Sequence, residues 1–272
     1  MIKRTLTGAV IVSVIYTWIF FSYIPAVLYI GTAVLCMSAM LEIYRICSTD
    51  KRYFIYILLI VSALLLGLPI PNYEYLMMLI LPLAMILFGI MMVLKERIHD
   101  IGEWRAMALG STVVLLFKSI PIIRERENGS YYLTFAVTAC FVTDIAALLF
   151  GKAFGSHKLC PKISPRKTVE GAIGGVACTV LIAVIAAVLL EKYGILYFDM
   201  GTLVAWSIFV SVAGQFGDLC MSVVKRIAGV KDFGNLLPGH GGILDRFDSH
   251  MFAISFTLVF CSLTGGFILQ RQ

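Results

Sequence analysis

Apolar runs long enough to cross a lipid bilayer, joined mostly by short loops, occupy most of this chain and leave few folds open to it. A spanning helix needs roughly 17–25 predominantly apolar residues. Nine runs, near 6–23, 25–46, 54–70, 74–94, 104–123, 131–150, 172–190, 201–224 and 249–269, meet or approach that length. The period-2 alternation with turn residues that would mark a barrel is missing. Charged residues make up 14% of the chain and hydrophobic ones 60%, whereas a soluble domain carries about 25% charged. Together these features exclude a soluble globular domain and predict an all-α polytopic integral membrane protein with about nine transmembrane helices.

Orientation follows from the basic residues, because cytoplasmic loops collect Lys and Arg. One side of the nine-span arrangement holds Lys3, Arg4, Arg45, Lys51, Arg52, Lys95, Arg97, Arg105, Lys152, Lys158, Lys162, Arg166, Lys167, Lys225, Arg226, Lys231 and Arg246. The other holds Lys118, Arg124, Arg126, Lys192 and Arg271. The expected topology is N-in and C-out, in a bacterial-type inner (cell) membrane. The net charge of +6 is concentrated on the cytoplasmic face, where it attracts anionic headgroups or a soluble polyanion. Met1-Ile2-Lys3-Arg4 before an apolar run superficially matches a secretory signal. It lacks a small-residue cleavage site and the second span follows at once, so an uncleaved first helix is expected. The seven cysteines are scattered and never form C-x-x-C, which suits small buried apolar residues better than a disulfide or zinc framework.

The chain divides by character near residue 130. Residues 1–130 form an N-terminal transmembrane region, structural or oligomerising, in which no chemistry is legible; Glu42 lies three residues before Arg45, the spacing of an interfacial helix pair. Residues 131–272 form a C-terminal transmembrane region in which polar residues enter the spans and glycines multiply. Its two long loops, 151–171 and 225–248, share the cytoplasmic face and can converge on one site.

Three clusters carry that expectation. Asp144 lies inside the sixth span, seven residues before Gly151 and so on the same helical face. An aspartate there costs about 2.5–3.5 kcal/mol on insertion scales unless it is paired or wet, and a structural interhelical contact is the competing explanation. The second cluster runs Lys158, Lys162, Ser164, Pro165, Arg166, Lys167, Thr168, Glu170 and Gly171. Ser164 or Thr168 can cap the seventh helix, whose N-terminus with the basic side chains would make an anion site, although a capped positive-inside loop explains it as well. The third runs from Gly217-Asp218 through Ser222, Lys225, Arg226 and Lys231 to His240, Gly241, Gly242, Asp245, Arg246 and Asp248. Asp218, Ser222 and Lys225 recur at i, i+4, i+7 on one helical face, and Asp245 and Asp248 are three apart. Hard carboxylate oxygens suit Mg²⁺, which takes one or two of them and completes its shell with water and substrate phosphate. The four cations would neutralise further phosphate charge, and His240 is a candidate phosphate donor or proton carrier.

The third cluster, written Ser222-x-Val224-Lys225-Arg226-x4-Lys231-Asp232-x-Gly234-x2-Leu237-Pro238-x-His240-Gly241-Gly242-x2-Asp245-Arg246-Phe247-Asp248, resembles the signature of the phosphatidate cytidylyltransferase (CDP-diacylglycerol synthase) family. Ser164-Pro165-x-Lys167-Thr168-x-Glu170-Gly171 and Asp144 with Gly151 extend the resemblance over the C-terminal half. It implies transfer of CMP from CTP to phosphatidic acid, giving CDP-diacylglycerol and pyrophosphate. It also implies Mg²⁺ held by Asp218 and Asp245, support from Asp144 and Asp248, and a second, monovalent cation. Phosphate contacts are expected from Lys167, Lys225, Arg226, Lys231 and Arg246, with Ser164, Thr168, Ser222, Gly241 and Gly242 lining the substrate. Partners are then CTP, phosphatidic acid and membrane lipids, with no nucleic acid; a homodimer is compatible. Competing classes are a CTP-using polyprenol or lipid kinase, a related transferase, and an anionic-lipid transporter. Two positions depart from the family pattern: Met221 stands where it usually carries glutamate, and Asp144-Ile145-Ala146-Ala147-Leu148 replaces Asp-x-Gly-Ala-Tyr.

Overall fold

A computed structural model describes residues 2–47, 101–236 and 241–269, with side chains from residue 8 in the first segment and residue 109 in the second. The expected spans 54–70 and 74–94, the flanking Lys51, Arg52, Lys95 and Arg97, and His240 lie outside the described residues. Seven helices are described: α1 (Ile2–Phe21), α2 (Pro25–Cys47), α3 (Ile101–Arg124), α4 (Gly129–Phe154), α5 (Val169–Lys192), α6 (Met200–Ile227) and α7 (Leu244–Thr264). Among the described residues α2, α4, α5, α6 and α7 are long and apolar enough to cross a membrane, and α1 adds the shorter apolar stretch Gly8–Phe21. The chain divides into two compact units: Met1–Pro121 with Asp232–Asp245, and Ile122–Lys231 with Arg246–Gln272.

In the first unit α1 and α2 form a hairpin. Ser22 Oγ donates to the Ile19 carbonyl at 2.6 Å where α1 ends, and Pro25 opens α2 at the position where a missing N–H costs no hydrogen bond. Trp18 Nε1 donates to the Val27 carbonyl at 3.0 Å, and the indole fills the space that a side chain on Gly31 would need. Lys118, which the hydropathy pattern puts inside a span, is buried in α3 with its ammonium 5.8 Å from the Tyr29 ring centroid.

The second unit is built on α4, α5 and α6, which pack on one another. Small residues allow close approach, as usual where lipid removes the hydrophobic drive between helices: Phe150 lies over Gly174 and Phe252 over Gly217. A buried hydroxyl cluster joins the three helices, with Thr143 Oγ1 at 2.7 Å from Thr179 Oγ1 and 2.9 Å from Ser211 Oγ. At one end Phe267 packs against Trp206 and Tyr132, and Trp206 Nε1 donates to Thr257 Oγ1 of α7 at 3.0 Å. Asp199 caps α6 through the N–H groups of Gly201 and Thr202, and the Thr202 hydroxyl holds its carboxyl below the ordinary range.

Helices dominate as expected, but boundaries differ where charge meets the helix. The apolar run ends near 224, yet α6 continues through Lys225 and Arg226, both good helix formers placed where cations complement the helix C-terminus. Likewise α4 runs past Gly151 to Phe154, and α7 starts at Leu244 and ends at Thr264, ahead of Gly265 and Gly266, whose φ values are positive. Two short antiparallel ladders were not anticipated: β1 (Lys158–Cys160) with β2 (Ser164–Thr168) inside the loop 151–171, and β3 (Tyr197–Phe198) with β4 (Ile268–Leu269).

Candidate active site

The charged residues of the second unit converge from α4, β2, α6 and α7. The β1–β2 hairpin delivers Lys167 to α6, where its Nζ lies 2.6 Å from Asp218 Oδ2. One turn further along α6, Ser222 Oγ donates to Asp218 Oδ1 at 3.4 Å. Lys225, on the same face, approaches Asp248 Oδ2 of α7 at 3.8 Å with both side chains nearly buried. Asp248 Oδ1 accepts the main-chain N–H of Ser249 at 2.8 Å, and Ser249 Oγ donates to Asp144 Oδ2 at 3.5 Å. Asp144, Asp218 and Asp248 interact electrostatically with one another, and Lys167 and Arg246 act on Asp144. Arg246 Nε is buried and has no hydrogen-bond acceptor among the described residues.

The hairpin is held in place by its ends. Thr168 caps α5, accepting from the Gly171 N–H at 3.1 Å, so Thr168 rather than Ser164 is the cap; Ser164 opens β2. His157 donates its main-chain N–H to Glu170 and places Nδ1 2.7 Å from Glu170 Oε1. Gly151 and Gly171 meet beside Thr168, and a side chain on either would collide with its hydroxyl. Gly151 therefore serves helix packing. Arg226 lies on the exposed side of α6, its guanidinium donating to the carbonyls of Ile163 and Val230 at 3.3 Å, and Lys231 is exposed.

In the first unit Asp245 opens α7 and is buried. Its Oδ2 accepts from the N–H groups of Phe233 at 2.7 Å and Gly242 at 3.0 Å. Gly241 has φ of +79° and would bring a side chain against Asp245 Oδ2, so conformation and space both require glycine. Ser249, which links two of the carboxylates, has no role in the sequence pattern, and Glu42, expected to pair with Arg45 at a helix surface, has a different one. Arg45 remains in electrostatic reach of Glu42, but the Glu42 oxygens go to the main-chain N–H groups of Ile243 and Leu244, each at 2.8 Å. The available signal was a carboxylate inside an apolar span, where it needs a partner. Met221 is buried within α6, and Leu148 is exposed on α4.

Among the described residues no three His, Cys, Asp or Glu side chains are gathered to hold a metal ion. The oxygen-only donors nevertheless suit Mg²⁺, which needs no more than one or two protein carboxylates. Lysines bound to aspartates and an arginine nitrogen without an acceptor among the described residues are donors that a phosphate can accept from.

Several helices long and apolar enough to span a bilayer, with acids and bases gathered between them, mark a multi-pass membrane protein with a charged cluster. The chain belongs to the cytidylyltransferase family, whose model it matches over residues 2–264. It is 45% identical over 129 residues to a phosphatidate cytidylyltransferase of Staphylococcus epidermidis, covering 47% of this chain and 48% of the relative. It is 44% identical over 133 residues to that of Staphylococcus saprophyticus, covering 49% and 50%, and 45% identical over 134 residues to that of Staphylococcus aureus, covering 47% and 48%. The chain thus spans about half the length of the curated relatives it matches.

Proposed function

We propose that this protein transfers CMP from CTP to phosphatidic acid, releasing pyrophosphate and leaving CDP-diacylglycerol in the membrane. The observation that carries the reading is the Lys167–Asp218 contact at 2.6 Å beside Asp144 and Asp248. Family membership and the name of the relatives support it. A triphosphate and a lipid phosphomonoester repel each other strongly, so cationic side chains and carboxylates that can hold a divalent cation are what their reaction needs.

In this reading a phosphatidate oxygen attacks the α-phosphorus of CTP in line and pyrophosphate leaves, with no protein nucleophile. Lys167, at Asp218, and Lys225, at Asp248, exchange carboxylate contacts for phosphate ones, and Arg246 supplies the donor that no group among the described residues accepts. Ser222 and Ser249 orient the carboxylates they touch. Asp218 would hold Mg²⁺ with Asp144 and Asp248 in support; Asp245 carries the same proposal from the resemblance alone. When bound, the ion would neutralise charge developing on the phosphates. The nine-span, N-in topology with the cluster facing the cytoplasm belongs to the same proposal, since CTP is a cytosolic substrate and the basic loops gather on that side.

The test is pyrophosphate release by purified protein in mixed micelles. Release from CTP is expected only with both phosphatidic acid and Mg²⁺ present, and to stop on chelation. Release without phosphatidic acid, or phosphorylation of a lipid with CDP as product, would refute the reading.

A further inference from the structure

Glu42 lies in the N-terminal region that looks purely architectural in sequence, yet it reaches the most motif-rich loop of the chain. It is buried on α2, and its two oxygens each accept a main-chain N–H at 2.8 Å, from Ile243 and from Leu244. These donors belong to the start of α7, where the first N–H groups have no intrahelical acceptor. A side chain about 200 positions away thus does what a local cap normally does. The space around it is used to the same end: a side chain on Gly234 or Gly242 would strike the Glu42 carboxylate. The next residue, Asp245, holds Phe233 and Gly242 in turn, so two buried carboxylates fix four main-chain N–H groups of one loop.

We infer that Glu42 is a positioning residue: through Ile243 and Leu244 it fixes the first turn of α7, and with it the loop glycines and the Asp245 carboxylate. The inference rests on the proposed cytidylyl transfer for its kinetic consequence, and on hydrogen bonding alone for its structural one. Glu42→Gln keeps the shape and one acceptor oxygen but turns the other position into a donor facing an N–H group. Glu42→Ala removes both acceptors.

Hydrogen–deuterium exchange of the purified full-length protein, read on peptides covering 241–250, measures the contact directly. Exchange at Ile243 and Leu244 is expected to rise about 10-fold in Glu42→Gln and further in Glu42→Ala, the scale of losing charge-assisted hydrogen bonds, with α4, α5 and α6 unchanged. The turnover number is expected to fall in the same order, wild type above Gln above Ala, while KM for CTP stays within about threefold, because the phosphate-binding lysines are untouched. Unchanged exchange at Ile243 and Leu244 in both variants overturns the inference. So does faster exchange with full turnover, or faster exchange spread through α4–α6, which would make Glu42 a general stabiliser. A wild-type protein that cannot join CTP to phosphatidic acid refutes the proposed activity instead, and the exchange contrast still decides the contact.

Discussion

Replacing Asp218 by Asn distinguishes a working ion pair from a decorative one. The substitution keeps the size of the side chain and an acceptor for Ser222, but removes the charge that Lys167 meets at 2.6 Å. Both side chains retain 27% exposure, so as a solvent-reachable pair it contributes only about 0–1 kcal/mol to folding. If the same carboxylate stabilises charge on the reacting phosphates, its loss costs about 10²–10³ in turnover, or ~2.7–4 kcal/mol of transition-state stabilisation. The expected result is therefore a large fall in CDP-diacylglycerol synthesis by a protein whose melting in detergent hardly changes. Lys167→Ala should behave alike, and the double variant should be little worse than the singles, since groups acting as a unit are far from additive. Synthesis within threefold of wild type in Asp218→Asn would end the assignment. A melting shift as large as the loss of activity would make the pair structural.

Three further outcomes are expected. Cysteines introduced at Lys158 and Asn235, both exposed, should react with an impermeant maleimide only from the cytoplasmic side; labelling of either from outside intact cells contradicts the shared-face topology. Thr143→Val removes the hub of the buried Thr143–Thr179–Ser211 cluster and should destabilise the protein by about 0.6–1.7 kcal/mol, the range for interhelical polar contacts in membranes, measured as a shift in reversible unfolding; a neutral result would show that the remaining hydroxyls find other partners. Met221→Glu puts a carboxylate where the family usually carries one, at a buried position of α6. It should alter the Mg²⁺ concentration needed for half-maximal rate more than the maximal rate, and a nearly silent wild type switched on by the glutamate would refute the reading of this chain as a working enzyme.

Several features were legible in sequence because they are local. Apolar run length located the described helices to within a few residues, since bilayer thickness imposes a length on any spanning segment. The i, i+4, i+7 recurrence of Asp218, Ser222 and Lys225 put them on one face of α6, and the Ser222–Asp218 hydrogen bond follows from that period alone. The cap of α5 was narrowed to Ser164 or Thr168 by residue type, and the structure puts it at Thr168. Hydropathy could not see that helices extend past their apolar part, so Lys225 and Arg226 looked like loop residues although the backbone hydrogen-bond ladder carries them.

Partner choice belonged to tertiary structure. Lys167 could have met any of several aspartates, and only the β1–β2 hairpin, tied down through Glu170 and Thr168, brings it to Asp218. Lys225 with Asp248, and Ser249 with Asp144, depend on how α4, α6 and α7 pack, which the close contacts at Gly214 and Gly217 allow but no spacing encodes. Glu42 is the extreme case. In sequence its nearest opposite charge is Arg45, one helical turn away, but a buried carboxylate gains more from two unsatisfied N–H groups than from one charge at a helix surface. Where those N–H groups lie is decided by the fold, about 200 residues further along the chain.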